Sequence, residues 1–513
     1  MKTRSSRFAA VLCICFALLS ALASSAQSNA PTVVKESKHM LSPALSNLTP
    51  LPAGANAEAS RSLSTKTLST KNVAFNAPLL NFAGTVGTGY NYSDATGAVG
   101  ATQYVQVVNL QYTIYNKTTG AKIRGPFAED ALWKTFGGPC QTSNNGDGNV
   151  MYDQAAARWV FHHHTEPAGG PYMNCVAVST TSDATGAYYL YAFENTINLP
   201  DQPKLAIWPD AYYIGQNLLN PTTKGFQASQ ACALDRNNML LGNAATAICF
   251  QGSISLPTIL PVSWEGPNPP PLGAQEYFFE LDQRPGKGMI QMNEFLFHVD
   301  FVTPGNSTYT SAGSLPLPAY KDACTSACVP QLDTTNTIKA TGDRLMAPLV
   351  YRNFGDHESI LLTHAVSTGK TANTPSGIRW YELRTPLTPV IYQYGTFAPD
   401  TNYRWVPSMG MDQMGDIAVG YNVSSATMHP GVSYTGWTPA DPLGQMEPEA
   451  SIIVGGGSQQ AANTVWSNYS GMSIDPADDC TFWYTTEYYA ADSANKWNTR
   501  IASFKFPSCT GSN

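Results

Sequence analysis

Apolar and polar residues alternate along the chain in short paired segments, and each pair is separated by a polar turn rich in Asp and Gly. The clearest copies are GNVMYDQAAARWVFHHH at 148–164, KLAIWPDAYYIGQN at 204–217, DRLMAPLVYRNFGDHESILLTH at 343–364, YRWVPSMGMDQMGDIAVGYNVSS at 403–425 and YSGMSIDPADDCTFWYTTEYY at 469–489, with DATGAVGATQYVQVVNLQYTIYN at 94–116 as a looser first copy. A period of two is typical of a strand that buries one face, and two such strands around a short turn predict a β-hairpin. The chain is therefore predicted to be all-β.

The hairpins follow one another at a nearly constant spacing. The aspartates Asp94, Asp153 and Asp210, which we assign to hairpin turns, lie 59 and 57 residues apart, and Asp412 and Asp475 lie 63 apart. The gap of 202 residues in the middle has room for about three more units. Seven such units predict a seven-bladed β-propeller with four-stranded antiparallel blades. Two packed β-sandwich domains are the alternative.

Other segments complete the predicted blades. Asp343 and Asp282, the latter within ELDQRPGKG, are predicted to mark the missing boundaries, and FLFHVDF, GIRWYELR and RIASFKF alternate as outer strands do. The Pro-rich segment LPTILPVSWEGPNPPPLG at 256–273 is predicted to be a surface loop, because Pro cannot donate to a central ladder.

The N-terminal residues have the pattern of an export signal. Basic residues precede an apolar run at 9–23, so residues 1–26 are predicted to be a signal peptide. That run is shorter than the roughly 20 residues of a membrane-spanning helix, and no membrane span is expected. Residues 27–75 are predicted to be a flexible leader rich in Ser, Thr and Ala, whose removal stays open, and residues 76–513 a single β-propeller domain.

Charge and cysteine content narrow the class of function. The net charge is −7, and loss of the three positive charges of the signal takes it to −10, which disfavours nucleic acid as a partner. Eight cysteines follow the signal, an even number that predicts up to four disulfides in an exported chain, and their spacing fits no zinc site. Cys480 and Cys509 would link the last unit. We expect a secreted monomer.

Several phrases resemble a known group of proteins. They are GGPCQTSNNGDGNVMYDQAAARWV, CVAVSTTSDATGAYYLYAF, YRNFGDHES, GIRWYELR and SGMSIDPADDCTFWYTTEY. Between about residues 80 and 509 the chain resembles an uncharacterised family of secreted bacterial β-propellers. This resemblance implies the fold and export, and it supplies no catalytic residue. STTSDATGAYY is also similar to the Asp box of sialidase-like propellers, although Gly186 lies three residues after Asp183 instead of two.

The hairpin pattern predicts which face of the disk carries chemistry. In a hairpin, the start of the first strand and the end of the second lie opposite the turn. The conspicuous group Arg352, Asp356, His357 and Glu358 surrounds a turn and is predicted to be a solvated structural turn. We therefore look for a site on the other face, called here the strand-start face, where polar groups from different units converge.

Ten residues are candidates on the strand-start face. Strand starts place Asp147, Lys204, Arg344, Arg404 and Tyr469 there, and second-strand ends add His164, Glu166, His364, Glu487 and Tyr488. The cations Lys204, Arg344 and Arg404 would suit an anionic ligand, with His364 and Tyr488 beside them. Ordinary ion pairs between blades, such as Arg344 with Asp343, are the alternative.

The run His162, His163, His164 has two interpretations. Alternation puts the first and third rings on one face, as in a two-His metal site, but no third ligand is evident. Buried, aromatic-packed histidines are the alternative, and we assign no metal ligand. The sequence predicts no cofactor, while a structural calcium ion in the channel stays open because Asp and backbone carbonyls supply oxygen ligands.

Two classes of function follow. The first is a carbohydrate-active enzyme for an acidic extracellular polysaccharide. In elimination, His164 or Tyr469 would move the proton. In hydrolysis, two carboxylates among Asp147, Glu166 and Glu487 would act. The second is a non-catalytic secreted module that binds glycans or proteins through its many Tyr and Trp side chains.

Overall fold

The structure of the chain is a computed structural model. It describes residues 30–52, 77–87, 89–195, 198–282, 290–324, 326–369, 374–385, 389–462 and 464–510. The predicted signal peptide, most of the predicted leader and residues 283–289, which hold most of ELDQRPGKG, lie outside these ranges. The described residues are organised almost entirely as strands and turns, so the all-β class is confirmed.

The regular elements are short and follow one another closely. In chain order, the strands are β1 (Thr32–Lys35), β2 (Lys38–Leu41), β3 (Leu80–Val86), β4 (Thr96–Val99), β5 (Gln103–Val108), β6 (Gln111–Asn116), β7 (Lys122–Ala128), β8 (Asn149–Asp153), β9 (Arg158–His164), β10 (Tyr172–Ser179), β11 (Tyr188–Asn195), β12 (Leu199–Ile207), β13 (Tyr212–Leu219), β14 (Phe226–Leu234), β15 (Thr246–Gln251) and β16 (Leu260–Trp264). They continue as β17 (Glu276–Asp282), β18 (Gln291–His298), β19 (Thr308–Pro316), β20 (Lys321–Asp322), β21 (Leu349–Asn353), β22 (Glu358–Ser367), β23 (Ser376–Thr385), β24 (Val390–Phe397), β25 (Tyr403–Met411), β26 (Ile417–Ser425), β27 (Met428–Trp437), β28 (Ala450–Ile453), β29 (Gly471–Ile474), β30 (Phe482–Tyr488) and β31 (Asn498–Phe504). The helical segments are α1 (Pro139–Thr142), α2 (Arg236–Leu241) and the 3-10 turns Leu45–Asn47, Glu129–Trp133 and Pro304–Asn306.

Consecutive strands pair into four-stranded antiparallel units. These units are β4–β7, β8–β11, β12–β15, β16–β19, β21–β24 and β25–β28, and β29–β31 takes β3 as its fourth strand. A parallel pairing of β16 with β21, in which Val262 lies opposite Leu349, joins two units into a larger sheet that also includes β20. The predicted hairpins are confirmed by the antiparallel pairs β4–β5, β8–β9, β12–β13, β21–β22, β25–β26 and β29–β30.

The first strands of the units pack against one another in cyclic order. Strand β4 contacts β8, β8 contacts β12, β12 contacts β16, β16 contacts β21, β21 contacts β25, β25 contacts β29, and β29 contacts β4 again. Apolar side chains between neighbouring units form the core, as where Trp208 packs edge-on against Tyr351 with ring centroids 4.9 Å apart. The segments predicted as outer strands fall on β18, β23 and β31, the third strands of their units.

The Pro-rich segment differs from its prediction. Residues Leu260–Trp264 form the buried first strand β16, so a surface loop is wrong for this part of it. Pro261 pairs with β17 alone, because the parallel pairing of β16 with β21 begins only at Val262. The next amide, of Val262, donates to the side chain of Glu276 at 2.8 Å. Asp282 is also not at the turn of a first hairpin, because it ends the second strand β17.

The predicted leader also differs in part. Residues 32–35 and 38–41 are strands β1 and β2, which pair with β15 and β11 as fifth, outermost strands. Leu45 follows them and is fully buried in the core between the first two units. These strands lack clear alternation because each packs only at the edge of a sheet and leaves most of its side chains exposed.

Disulfides link the cysteines that follow the predicted signal. The bonds are Cys140–Cys175, Cys232–Cys249, Cys324–Cys328 and Cys480–Cys509. The expected number is confirmed, as is the link within the last unit. Within the described ranges, no helix combines the length and apolar character needed to cross a bilayer.

Candidate functional site

A cavity of about 90 Å³ lies between the first strands of several units. Its walls come from β4, β8, β12, β16 and β29, and Gln154, Glu265 and Pro476 line the end near the hairpin turns. Tyr469, two residues before β29 begins, lines the opposite end. The cavity therefore follows the first strands, and Tyr469 covers it at the strand-start face.

Lys204 lies against Tyr469 in a buried polar cluster. Its Nζ is 3.1 Å from the centroid of the Tyr469 ring, whose hydroxyl donates to the Pro203 carbonyl at 3.0 Å. Burial lowers the pKa of Lys204 to about 7, although Asp147 and Asp94 act in the opposite direction. Burial also raises the pKa of Tyr469 well above its usual value. We call Asp94, Asp147, Lys204 and Tyr469 the axial cluster.

The carboxyl groups of Asp94 and Asp147 hydrogen-bond each other. Asp94 also accepts from the Asn468 amide at 2.6 Å and from Asn109 Nδ2 at 3.1 Å. Burial raises the pKa of both, and the pKa of Asp147 is raised further by Asp94 and Asp201. Two adjacent buried carboxyl groups resist ionising together. Ionisation of both carboxyl groups together is therefore disfavoured, and half-buried Asp147 is the more exposed member of the pair.

A shared backbone feature places these side chains. Asp94, Asp147 and Gln202 have left-handed φ values of 43°, 55° and 48°. Asp tolerates this region because its short polar side chain bonds locally. Asp94 and Asp147 each lie two residues before a first strand begins, and both carboxyl groups belong to the axial cluster. The assignment of Asp94 to a hairpin turn is therefore wrong, because the turn between β4 and β5 lies at 100–102.

Glu166 lies on the same face in a different electrostatic environment. Its Oε1 accepts from His164 Nε2 at 3.1 Å, and its Oε2 accepts from Lys224 Nζ at 3.1 Å. The hydrogen bond from His164, followed by the effect of Lys224, lowers the pKa of Glu166. Its side chain is 29 % exposed, whereas that of His164 is only 1 % exposed. Glu166 is therefore an ionised carboxylate that reaches solvent.

Two tyrosines lie beside these acids. The rings of Tyr90 and Tyr92 meet edge to face with centroids 5.4 Å apart, and Tyr90 is 36 % exposed. Burial raises the pKa of Tyr90, and Asp147, Asp94 and Glu166 raise it further. Tyr90 therefore lies within electrostatic reach of all three carboxyl groups.

Arg344 is engaged within the protein. Its Nε and Nη2 donate to Asp343 at 2.8 and 3.0 Å, and its Nη1 donates to Gln202 Oε1 at 2.5 Å. The ion pair with Asp343, the alternative raised by the sequence, is present. The side chain keeps 20 % of its surface exposed. Arg344 thus borders the axial cluster as a paired cation.

Arg404 does not join the other two cations. Its Nε and Nη2 donate to Glu449 at 3.0 and 2.6 Å, and its Nη1 and Nη2 donate to Asp400 at 2.8 and 3.1 Å. The side chain is fully buried, with its guanidinium 5.5 Å from the ring of Phe397. The prediction of a substrate-binding Arg404 is therefore wrong, because two carboxylates already occupy its donors and solvent does not reach it.

Three further candidates are buried away from solvent. His364 is fully buried between Tyr381 and Tyr320, and burial lowers its pKa to about 3. Glu487 is fully buried and accepts from the Ser93 amide at 2.5 Å, and burial raises its pKa well above its usual value. Tyr488 is 2 % exposed. None of the three presents its side chain to a ligand in this conformation.

The prominent charged turn and the histidine run are structural. Asp356 is 84 % exposed and accepts from His357 at 2.8 Å at the turn between β21 and β22, as predicted. Arg352 of the same group is not solvated, because it is buried and its Nη1 donates to Asp479 at 2.8 Å. His162 Nε2 donates to Asn174 Oδ1 at 2.9 Å, and His163 packs edge-on against Trp133 with ring centroids 4.6 Å apart. Burial lowers the pKa values of these two histidines to about 4 and 3.

Sequence reasoning missed Asp94, Asp201, Tyr90 and Tyr92 as neighbours of the site. A signal for the first was present, since Asp94 stands before the first strand of its unit as Asp147 does. It becomes visible only when the units are aligned at the strand start instead of the turn. Across the described ranges, no three His, Cys, Asp or Glu side chains are grouped so that they could hold a metal ion.

No family model matches the chain, and no curated protein matches it. A solved structure titled "Glycoside hydrolase" shares 11 % identity over 59 % of this chain and 86 % of its own, with a TM-score of 0.31. The phage phi92 endosialidase shares 8 % identity over 86 % and 70 %, with a TM-score of 0.35. Drosophila semaphorin 1a, extracellular domains 1–2, shares 9 % identity over 84 % and 88 %, with a TM-score of 0.38. TM-scores of this size do not establish a shared fold.

Glu129 should make stability depend on pH. It is buried, and burial followed by the effect of Asp147 raises its pKa to about 8. The folded state therefore holds this proton more tightly than the unfolded state. The resulting stabilisation is fully present below about pH 4.5 and is lost as pH rises towards 8. The unfolding free energy of wild type should therefore fall by up to about 4 kcal/mol over this pH range. Glu129→Gln mimics the protonated acid and cannot ionise, so we expect this variant to lack that fall.

Denaturant unfolding of wild type and Glu129→Gln at pH 5 and pH 8 measures this effect. Half-buried Glu194 on β11 is the matched control, because Glu194→Gln makes the same change from an acid to its amide at another position. If the unfolding free energy fell equally in wild type and in Glu129→Gln between pH 5 and pH 8, the prediction would be contradicted.

Proposed function

We propose that this chain is a secreted seven-bladed β-propeller that binds an extracellular glycan at the strand-start face and hydrolyses it. Asp147 would act as the general acid and Glu166 as the base or nucleophile. The cyclic order of contacts among the first strands supports the propeller. The disulfides support export, because such bonds persist mainly in oxidising compartments.

The observation that carries this proposal is that Asp147 and Glu166, near the exposed ring of Tyr90, have different electrostatic environments. Asp147 hydrogen-bonds the buried carboxyl of Asp94, while Glu166 accepts from two nitrogen donors, His164 and Lys224. Glycosidases need one carboxylic acid that holds its proton and one carboxylate that has lost it, and environments that push two pKa values apart produce this division.

The proposed chemistry follows from the protonation of the two groups. Asp147 would give its proton to the oxygen of the leaving sugar. Glu166 would either take a proton from an attacking water or form the bond to the sugar itself. The distance between the two carboxyl groups around the bound sugar decides between these routes, as it does in glycosidases generally. Tyr90 would contact the apolar face of a sugar ring while its hydroxyl stays hydrated.

The charges of the strand-start face favour a glycan that has no negative group at this site. The sequence suggested an acidic polysaccharide held by Lys204, Arg344 and Arg404. Carboxyl groups of the protein surround or bind all three cations. Elimination is also less suited to the geometry, because the Tyr469 hydroxyl is buried, donates to a carbonyl and has a raised pKa.

A substrate panel tests the proposal. The mature protein is incubated with neutral polysaccharides, uronate-containing polysaccharides and sialylated glycans. Release of reducing ends and ultraviolet absorbance of unsaturated products are both followed. We expect reducing ends without unsaturated product, from a neutral glycan. Unsaturated product would instead support a lyase, and binding without any product would support the non-catalytic module.

A further inference from the structure

The cavity between the first strands opens towards the hairpin turns. At the strand-start face, Tyr469 lines it and is 2 % exposed. At the other end, four of the residues that line it are partly exposed, namely Tyr152, Gln154, Glu265 and Pro476. We call this end the turn-side mouth. A ligand from solvent would enter the cavity past these four side chains.

Glu265 contributes an unpartnered carboxyl group to the turn-side mouth. Its Oε2 is buried, and neither of its oxygens accepts a hydrogen bond from the described residues. Other buried acids differ. Glu129 and Glu276 each have one orphan oxygen but accept a backbone amide through the other, and neither lines this cavity. A ligand in the cavity would therefore meet the Glu265 carboxyl group directly.

The nearby Arg352 does not occupy this carboxyl group. Both Nη atoms of Arg352 donate to Asp479, one of them at 2.8 Å, and no ion pair of the described residues includes Glu265. Burial raises the pKa of Glu265 to about 8, Arg352 acts in the opposite direction, and Asp479 raises the pKa again. A partly buried carboxyl group without a bound cation is costly to ionise. A cation at the mouth would be its first direct partner.

The turn-side mouth offers acceptors and aromatic rings instead of free donors. Gln154 Nε2 donates to a backbone carbonyl, and so does the Trp264 Nε1 at 2.9 Å. The side-chain oxygens of Gln154 and Glu265 remain as acceptors, and the rings of Tyr152 and Trp264 line the same end. Carboxylates and aromatic faces both attract cations. The mouth therefore favours a ligand that carries N–H donors and a positive charge.

The interior of the cavity favours a short apolar chain. Beyond the mouth its walls include Val99, Val150, Leu205 and Ile207. An apolar cavity of about 150 Å³ accommodates benzene, so the volume of about 90 Å³ suits a chain of about four heavy atoms. A ligand that fits both parts has an alkyl chain that lies inside and a charged group that stays at the mouth.

We propose that the turn-side mouth binds a small primary alkylammonium ion, whose chain enters the cavity and whose ammonium group pairs with Glu265. A lysine side chain of a peptide has the same charged group but would enter with the ammonium first, among the apolar walls. The free amine is therefore the better fit. The site is independent of the proposed hydrolysis, because Asp147 and Glu166 lie at the opposite face.

Titration of small amines into the full mature protein tests the site. The probes are n-propylammonium, uncharged n-propanol and the Nα-acetylated amide of lysine, each followed by ligand-observed NMR. We expect n-propylammonium to bind more tightly than the other two. Glu265→Gln keeps the shape of the side chain and removes its charge, so it should weaken n-propylammonium binding by roughly 10-fold to 100-fold, the range for lost hydrogen bonds to a charged group.

Two further variants separate the cavity from general attraction to acidic surface. Ser473 lines the cavity, and its buried Oγ has no hydrogen-bond partner among the described residues. Ser473→Val therefore fills space without breaking a described hydrogen bond, and it should weaken binding of both n-propylammonium and n-propanol. Asp356→Asn is the matched control for Glu265→Gln, because Asp356 is an exposed acid at a hairpin turn of the same face. It should bind n-propylammonium as wild type does.

Four results would overturn the proposal. They are no binding of n-propylammonium to wild type, equal binding to wild type and Glu265→Gln, binding of n-propanol as tight as that of n-propylammonium, and a loss in Asp356→Asn as large as that in Glu265→Gln. Binding of the lysine derivative as tight as that of n-propylammonium would overturn the orientation and indicate a peptide as the source of the ammonium group.

Discussion

Replacing Asp147 by Asn is expected to reduce glycan hydrolysis by roughly 10²-fold to 10⁴-fold, the usual contribution of a general acid. The amide has the same shape and can keep the hydrogen bond to Asp94, but it cannot transfer a proton. Binding of the glycan should therefore change little. The expected result is a fall in kcat with KM nearly constant, measured from reducing ends on the substrate that the panel identifies.

Glu166→Gln should produce a loss of similar size by removing the base or nucleophile. Asp356→Asn is the matched control, because Asp356 is an exposed acid at a hairpin turn on the opposite face. It should retain the wild-type rate. Asp147→Asn with wild-type kcat would contradict the assignment of the acid, and an effect of Asp356→Asn as large as that of Asp147→Asn would contradict the choice of face.

The pH profile provides a separate check on these roles. Because Asp147 is active when protonated, the rate should fall as pH rises through the apparent pKa of the Asp94–Asp147 pair. Glu166 is active when ionised, so the rate should also fall at low pH, and the lowered pKa of Glu166 shifts that limb to more acidic values. Glu166→Gln should remove the acidic limb from its residual activity.

Arg404→Met is expected to lower the unfolding free energy by about 3 kcal/mol or more without changing hydrolysis per folded molecule. The arginine is fully buried and binds Glu449 and Asp400. Its removal leaves Glu449, whose side chain is only 26 % exposed, without its cation. Denaturant unfolding measures the loss, and specific activity is measured on folded protein.

Arg158→Met provides the control for this loss. Among the described residues, the hydrogen bonds of its guanidinium go to carbonyl oxygens of the neighbouring turn, so none of the described carboxylates loses a hydrogen-bond partner when it is removed. We expect a change within about 1 kcal/mol, as is usual for substitutions near the surface. If Arg404→Met were as stable as Arg158→Met and had lost glycan binding, the sequence-based role of Arg404 in ligand recognition would be restored.

Much of the fold could be predicted from the sequence, because each hairpin has a local signature. Alternation and turn residues act over a few positions, and they identified the first two strands of six units. Strands β1 and β2 were missed because each is an edge strand that buries little. Strand β16 was missed because a Pro residue normally excludes a central strand, and the segment was therefore assigned to a loop. In the structure, the amide of Val262, which follows Pro261, donates to the side chain of Glu276.

The site was predictable only in part, since it depends on which side chains from distant units meet. Asp147, Lys204, Tyr469, His164 and Glu166 do lie on the strand-start face around one region. Arg404 and His364 also follow strand positions, yet their side chains are buried among partners that sequence spacing does not reveal. Whether a charged residue is paired is a property of its three-dimensional neighbours.

The pairing of β3 with β31 has a consequence for engineering the chain. It brings the Leu79 amide within 2.7 Å of the Ser503 carbonyl, so an early and a late segment lie side by side. A chain cut in the hairpin turn at the exposed Gly355 would therefore retain this pairing. Deleting residues 80–86 would instead leave β31 with an open edge, ready to recruit a strand from another molecule.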